Sequence, residues 1–204
     1  ANMVAIGYNA LNANTTASLN IGIGINCLLL NTTGASNIAV GGFAMDANTT
    51  GYNNVAIGES TLTANTEGPA NVAIGFQALA SATDAASNTA IGYQSQMTTT
   101  TGGSNVSVGQ GTLDANTTGA GGVVLGYGAG SGVTTGGYNT MVGYNAGTQG
   151  NAITTGAGNV FIGNGAGASA VGVSNEMTIS ATANSVGKGT GTGFITAGSG
   201  AMYQ

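Results

Sequence analysis

Apolar and polar residues follow one another along this chain in a pattern that repeats with a fixed period of 17. Each repeat contains a glycine preceded by three mostly apolar residues, as in Val-Ala-Ile-Gly at residues 72–75. Self-similarity at a fixed period is typical of architectures in which successive units stack on one another. We call these glycines the marker glycines: Gly7, Gly24, Gly41, Gly58, Gly75, Gly92, Gly109, Gly126 and Gly143, with Gly163 following after one longer repeat.

The residues one and three before each marker glycine, which we call the flanking positions, are mainly β-branched. One residue before the glycine is Ile or Val in nine repeats and Leu125 in the other, and three before it is Val, Ile or Thr. Because the two positions have the same parity, their side chains point to one side of an extended strand and stack into a ladder. We predict that this ladder is the buried core face. Recurring glycines and turn residues leave no window for a helix.

Turn residues recur as regularly as the apolar ones. Asn and Thr side chains hydrogen-bond nearby backbone and Gly supplies positive φ, so the motif Asn-Thr-Thr-Gly predicts a tight corner. The corner threonine, usually eight residues after the marker glycine, is Thr15, Thr32, Thr49, Thr66, Thr83, Thr100, Thr117, Thr134 and Thr154. Four residues before the marker glycine, eight repeats have asparagine, and we expect these amides to hydrogen-bond from coil to coil. These asparagines are Asn20, Asn37, Asn54, Asn71, Asn88, Asn105, Asn139 and Asn159.

A repeat that contains only short strands and turns predicts an all-β fold. The interpretation is a repetitive β-solenoid (β-roll) of about ten 17-residue coils, stacked about 4.8 Å apart. The β-solenoid repeat domain is expected to span residues 1–172, and residues 173–204 form a Gly-rich C-terminal cap or neck in which Met177 and Ile179 belong to a last strand. The chain begins at Ala1 without a signal-like region, and we expect it to be a piece of a longer protein.

Two positions exchange volume along the chain. The residue two before the marker glycine, the middle position, is small in the first seven repeats and large in the last three, whereas the residue four after it changes from Leu or Met to Gly. The large residues are Val124, Met141 and Phe161, and the glycines are Gly130, Gly147 and Gly167. Because interiors keep a nearly constant density, we predict that the two positions fill one shared space. Their parity is opposite to that of the ladder, so we expect them to form a second apolar surface, used as an oligomer interface.

Composition excludes several classes of function. The chain has 204 residues, of which 39 are glycine, with 3% charged residues, no histidine, one cation (Lys188) and a net charge of −5. Nucleic acid is a poor partner without a cationic surface, and the apolar stretch at residues 19–30 is too short and too interrupted to span a bilayer. No nucleophile and base are paired, so we predict that the protein is not an enzyme, with no catalytic, cofactor-binding or metal-binding residue.

A few residues still need weighing as sites. Glu67 and Asp84 occupy the same place in adjacent repeats and can share Ca²⁺, but Ca²⁺ prefers about six to eight oxygens, so we favour two solvated turn acids. Cys27 stands where other repeats have alanine, which predicts a small buried residue. Residues 167–171 lack the second glycine of a nucleophile elbow, and Lys188 lacks the context of a phosphate loop. The acceptor-like motifs at Asn14, Asn31, Asn48 and Asn116 are interpreted as turns rather than glycosylation sites.

Two segments carry a resemblance to a known group. The sequences Asn-Val-Ala-Ile-Gly-Phe-Gln-Ala-Leu (residues 71–79) and Asn-Thr-Ala-Ile-Gly-Tyr (residues 88–93) resemble the repeats of the β-roll heads of trimeric autotransporter adhesins and of related bacteriophage tail fibres. The similarity covers residues 3 to about 167. It implies three chains, each a left-handed β-roll, joined around a threefold axis. The period of 17 is longer than is usual for the adhesin heads.

The end of the chain favours the phage variant. Residues 187–195 and 200–204 are similar to the stretch that precedes a self-cleaving intramolecular chaperone in many phage fibres and spikes. We therefore expect a homotrimeric structural protein of the virion, the shaft or tip of a tail fibre or spike, that mediates host-surface attachment. Its partners would be its own copies and a glycan or protein receptor on the host, without nucleic acid, membrane insertion or cofactor.

Candidate receptor contacts follow the marker glycines. Tyr8, Glu59, Tyr93, Tyr127 and Tyr144 stand directly after them, and the tyrosine rings among them can stack on sugars. The simpler interpretation, which we favour, is that these rings pack against neighbouring coils.

The alternative function is ice binding, or the role of another extracellular β-solenoid adhesin. Regular, uncharged faces rich in threonine suit a lattice of ice. However, the threonines here stand in adjacent pairs such as Thr15 and Thr16, which belong to a turn rather than to alternate positions of a flat strand.

Overall fold

The structure, a computed structural model, describes residues 2–180 and 185–196. Within them, short strands form a single sheet in which each strand pairs in parallel with the next along the chain. The strands are β1 (Val4–Ile6), β2 (Ile21–Ile23), β3 (Ile38–Val40), β4 (Val55–Ile57), β5 (Val72–Ile74), β6 (Thr89–Ile91), β7 (Val106–Val108), β8 (Val123–Leu125), β9 (Thr140–Val142), β10 (Val160–Ile162), β11 (Met177–Ser180) and β12 (Gly193–Thr196). The described part of the chain has no helix that is long and apolar enough to cross a membrane.

Strand register confirms the predicted β-solenoid. Val72 pairs with Val55 of the preceding strand and with Thr89 of the following one, so residues one period apart lie side by side. Val160 pairs with Thr140 across the longer repeat, which shows that the three extra residues are absorbed in the loop between β9 and β10. Each coil therefore presents the same positions as its neighbours. The handedness stays a prediction.

The sheet continues into the segment predicted as a cap or neck. Met177 and Ile179 lie in a strand, as expected, and β11 pairs with β10 at the regular period, with Met177 opposite Val160. β12 then pairs with β11, with Gly193 opposite Met177. The division into residues 1–172 and 173–204 stays a prediction. The segment at residues 200–204, which carries part of the resemblance to phage fibres, lies outside the described residues.

Each coil's core is formed by the middle strand positions. Ala56 and Ala73 are fully buried, whereas the flanking Ile38 and Ile57 are 36% and 39% exposed. The prediction that the Val/Ile ladder is the buried core face is therefore wrong. The prediction that the middle positions form an oligomer interface outside the core is wrong as well, because these positions are themselves the core. A strand of three residues can turn one side chain inward and two outward, and a coil of this short period encloses only a narrow interior. Alanine fits that interior opposite a leucine, and the bulkier flanking residues lie outside.

The predicted shared space is confirmed. A Cβ placed on Gly147 would lie 2.5 Å from Sδ of Met141, and one placed on Gly130 would lie 3.1 Å from the same atom. Met141 is fully buried, so it fills the volume that Leu62 fills in the coil that has Ala56 at the middle position. The exchange along the sequence keeps the packing density of the interior constant.

The marker glycines are required by the stacking of the coils. Gly41 has a φ of 139°, a conformation that is essentially restricted to glycine. A Cβ on Gly41 would lie 2.5 Å from the carbonyl oxygen of Gly58, the marker glycine one coil further on. The same contact recurs along the chain, which explains why the repeat has its fixed point here. The residue four after the glycine has a left-handed conformation too, with φ 49° at Leu62, so glycine is also well suited there.

Buried asparagines connect the coils as predicted. The side-chain oxygen of Asn71 accepts a hydrogen bond from the backbone N–H of Asn88, at 3.0 Å, and its amide donates to the carbonyl of Ala85, at 2.8 Å. The first bond joins two coils and the second closes one coil on itself. Each asparagine of this column thus satisfies backbone groups that the short strands leave unpaired.

Candidate functional surfaces

A continuous apolar surface runs along the outer face of the sheet, formed by the flanking positions of β1 to β11, which we call the strand face. It consists of two stacked columns of Val, Ile, Leu, Met and Thr without any charged residue. Its side chains remain partly exposed in the single chain, for example Val106 at 36% and Val123 at 40%. Contiguous exposed apolar surface is typical of sites at which proteins contact a partner.

A second feature is the column of residues that directly follow the marker glycines, which we call the aromatic column. The predicted receptor residues Tyr8, Glu59, Tyr93, Tyr127 and Tyr144 all lie in it and are exposed. Tyr93 stacks on Phe76 with ring centroids 5.4 Å apart, and Tyr127 stacks on Tyr144 at 5.3 Å. Tyr93, Tyr127 and Tyr144 therefore pack against neighbouring coils, as the favoured interpretation predicts, and still keep about half of their surface exposed. Tyr8 differs, because it is 73% exposed and stacks on no ring of the described residues.

A groove interrupts the aromatic column between the two stacked pairs. It has a volume of about 270 Å³ and lies in the seventh coil, the coil of marker glycine Gly109, where Gln110 replaces an aromatic residue. We call it the coil-7 groove; the residues with functional groups along it include Tyr93, Gln94, Gln110, Asp114, Tyr127 and Asn145. Burial raises the pKa of the Asp114 carboxyl, and hydrogen bonds from the backbone partly offset this rise. Its Oδ1 atom is buried without a hydrogen-bond partner.

The corner threonines have a structural role. The hydroxyl of Thr49 donates to the carbonyl of Thr66 at 3.1 Å, and Thr100 donates to Thr117 in the same way. Each bond joins one coil to the next, so the hydroxyl protons of this column are used within the turns. Glu67 and Asp84 are exposed at the corner, and among the residues the structure describes no group of three or more His, Cys, Asp or Glu could hold a metal ion.

Cys27 is fully buried, as its alanine-like position predicts. Its Sγ lies 3.1 Å from the carbonyl oxygen of Ala39, and burial raises the pKa of the thiol to about 11. A thiol in this state is a poor nucleophile, because the thiolate is the reactive form.

Sequence reasoning missed two buried polar groups. Glu176 takes the place of the column asparagine in β11's coil, and its carboxylate accepts hydrogen bonds from the backbone N–H groups of Ser169 and Gly189. Gln96 replaces the usual Leu or Met four residues after a marker glycine, and its amide donates to the hydroxyl of Ser107 at 2.8 Å. Both departures from the repeat are visible in the sequence, and each indicates that the interior of its coil differs from that of the other coils. Gln96 and Ser107 separate two apolar clusters of the core.

Comparisons with protein-family models, with curated proteins and with solved structures find no match to this chain.

Proposed function

We propose that the protein is a non-enzymatic structural fibre segment that assembles as a homotrimer through its strand face and takes part in attachment to a host surface. The observation that carries this proposal is the strand face itself, an uncharged apolar surface that extends along the stacked coils and is partly exposed in the single chain. Covering it removes apolar side chains from water at every coil, which is favourable at about 25 cal/mol per Å².

A second copy of the chain fits this surface better than an unrelated partner. The strand face repeats once per coil, so a partner that covers its whole length must repeat at the same spacing. Copies of the chain meet this condition when they run parallel and in register around a common axis, which gives a closed rotational symmetry. The absence of charges from the face avoids the cost of burying unpaired ions at each coil.

The number of subunits and the biological setting rest on the resemblance to trimeric autotransporter adhesins and phage tail fibres. That resemblance supports three chains, each a left-handed β-roll, around one axis. Its phage variant supports a virion location in a tail fibre or spike. A rod of stacked parallel coils suits mechanical extension from a surface. The alternative of ice binding gains no support from the corner threonines, because their hydroxyls donate to backbone carbonyls of the next coil.

The proposal is tested by placing charges on the strand face. The variant Val106→Lys/Val108→Lys introduces two lysines on one strand of the face, and Thr118→Lys/Thr135→Lys introduces the same charges at exposed corner positions. Light scattering of the wild type and of the corner variant should give a mass near three times 19.4 kDa, whereas the strand-face variant should lose the trimer. An unchanged mass for the strand-face variant would contradict the interface.

Attachment needs a separate measurement. The labelled wild-type trimer should adsorb to cells of at least one strain in a panel of bacteria, and the strand-face variant should not, because attachment gains from three copies. A trimer that adsorbs to no strain would restrict the proposal to mechanical extension.

A further inference from the structure

The coil-7 groove lies between two aromatic faces. Phe76 and Tyr93 form one stacked pair, Tyr127 and Tyr144 form the other, and Gln110 occupies the coil between them. The ring planes within the pairs are nearly parallel, at 17° and 8°. Tyr93 and Tyr127 each have one face against a partner ring, and both line the groove together with Gln110, so we infer that their free faces border it. Since neighbouring coils are about 4.8 Å apart, these two free faces lie about 10 Å from each other.

That separation leaves room for one puckered, saturated six-membered ring between the two tyrosines once Gln110 moves aside. Carbon atoms in contact are about 3.5–4.0 Å apart, so two contacts span about 7–8 Å, and a shift of about 1 Å by each tyrosine ring closes the rest. Both tyrosines are about half exposed, so such a shift does not disturb the core. Gln110 is exposed and can move without leaving a hole in the core. Aromatic side chains favour such a ligand because they supply a large apolar surface together with a polar hydroxyl.

The remaining lining is polar and suits hydroxyl groups. Gln94, Gln110 and Asn145 carry amides, each of which both donates and accepts hydrogen bonds. Gln94 is held in place because its amide nitrogen donates to the side-chain oxygen of Gln77 at 2.9 Å. Asp114 adds a carboxylate to the lining, and a carboxylate can accept hydrogen bonds from ligand hydroxyl groups.

Charge narrows the class of ligand. Lys188 is the chain's one cation, and it lies in the C-terminal segment, about four coils along the chain from the groove. The groove itself carries only the negative charge of Asp114 among its lining residues. Phosphorylated, sulfated and uronic sugars would therefore meet repulsion there without any compensating cation.

We propose that the coil-7 groove binds a neutral pyranose, stacked between Tyr93 and Tyr127 and hydrogen-bonded through its hydroxyls to the surrounding amides and Asp114. This inference rests on the proposed function, because it names the class of receptor that the fibre contacts: a neutral surface glycan. It goes beyond stacking on single exposed rings, since it assigns one sandwich site in one coil. Tyr8, which is also exposed, has no such site because no stacked pair faces it.

The test uses saturation-transfer NMR on the intact protein with methyl glycosides of glucose, galactose, mannose and N-acetylglucosamine, and with methyl glucuronide as the acidic probe. We expect transfer to at least one neutral glycoside and weaker transfer to the glucuronide. Tyr93→Ala should raise the dissociation constant about tenfold. Tyr52→Ala, which removes an exposed tyrosine outside the groove, should leave the dissociation constant unchanged.

A second variant separates binding from folding. Gln110→Tyr continues the aromatic column through the gap, so it should keep or raise the melting temperature and abolish glycoside binding. Binding by Gln110→Tyr equal to the wild type would overturn the proposal, and so would no transfer from the wild type to any neutral glycoside at tens of millimolar. The mass by light scattering is recorded in the same samples. A wild-type trimer that binds no glycoside would contradict only the proposed groove site, whereas a monomer would contradict the proposed fibre function.

Discussion

Met141 and Gly147 lie in one coil and share one volume, which makes a double-mutant cycle informative. Met141→Ala empties a fully buried site and should cost about 2–5 kcal/mol of unfolding free energy. Gly147→Leu places a new Cβ 2.5 Å from Sδ of Met141, at a backbone φ of 80°. It should cost about 1–3 kcal/mol for overpacking and about 1–2 kcal/mol for the left-handed backbone.

The double variant restores a combination that the chain already uses. Ala at the middle position with Leu four residues after the marker glycine is the arrangement of Ala56 and Leu62, both fully buried. We therefore expect the Met141→Ala/Gly147→Leu protein to be less destabilised than the sum of the single variants by about 1–3 kcal/mol.

The assay is guanidinium unfolding followed by circular dichroism, at one chain concentration, because assembly would make stability depend on concentration. The control combines Met141→Ala with Gly42→Ala, which lies several coils away, and these two changes should add within about 0.5 kcal/mol. Additive behaviour of the Met141 and Gly147 changes would refute the shared volume.

Three further predictions concern other parts of the coil. Gly41→Ala should destabilise the protein by about 3 kcal/mol or more, because its Cβ would meet the carbonyl oxygen of Gly58 at 2.5 Å, whereas Gly42→Ala should be nearly neutral in the same unfolding assay. Asn71→Ala leaves buried backbone groups of two coils unpaired and should cost about 2–4 kcal/mol, with a smaller loss arguing for water in their place. Cys27 should react with a thiol reagent at pH 8 only after denaturation. Burial raises the pKa of Cys27 from 9.0 to about 11, so the stability that its neutral thiol supports is complete below pH 9 and is lost as the pH rises to 11. The Cys27→Ala protein should not show this loss. Equal dependence of the unfolding free energy on pH in the two proteins would contradict the burial effect.

Periodicity was sufficient to predict the fold. The recurrence of glycine, asparagine and threonine at fixed intervals reports backbone requirements, and these do not depend on which side of the strand is inside. Gly41 has to be glycine because the next coil's carbonyl group leaves no room for a Cβ. Asn71 bonds backbone groups in the same way whatever covers the strand face. These signals are local and therefore legible in the sequence.

The direction of the side chains could not be predicted in the same way. Parity separates the flanking and middle positions but does not say which set is enclosed, and the usual rule that large apolar residues are buried gave the wrong answer here. Ala56 lies inside and Ile57 lies partly outside because the coil is too narrow for two bulky ladders. The coil-7 groove could not be predicted from the sequence either, because it depends on the stacking of rings across coils on either side of Gln110.

The central claim, that copies of this chain associate through the strand face, is tested most directly by the mass of the wild-type protein in solution. Light scattering at several concentrations should give about three times the chain mass of 19.4 kDa, without dissociation on dilution. A stable species of 19.4 kDa across the same range would show that the strand face remains exposed to water, and it would contradict the account.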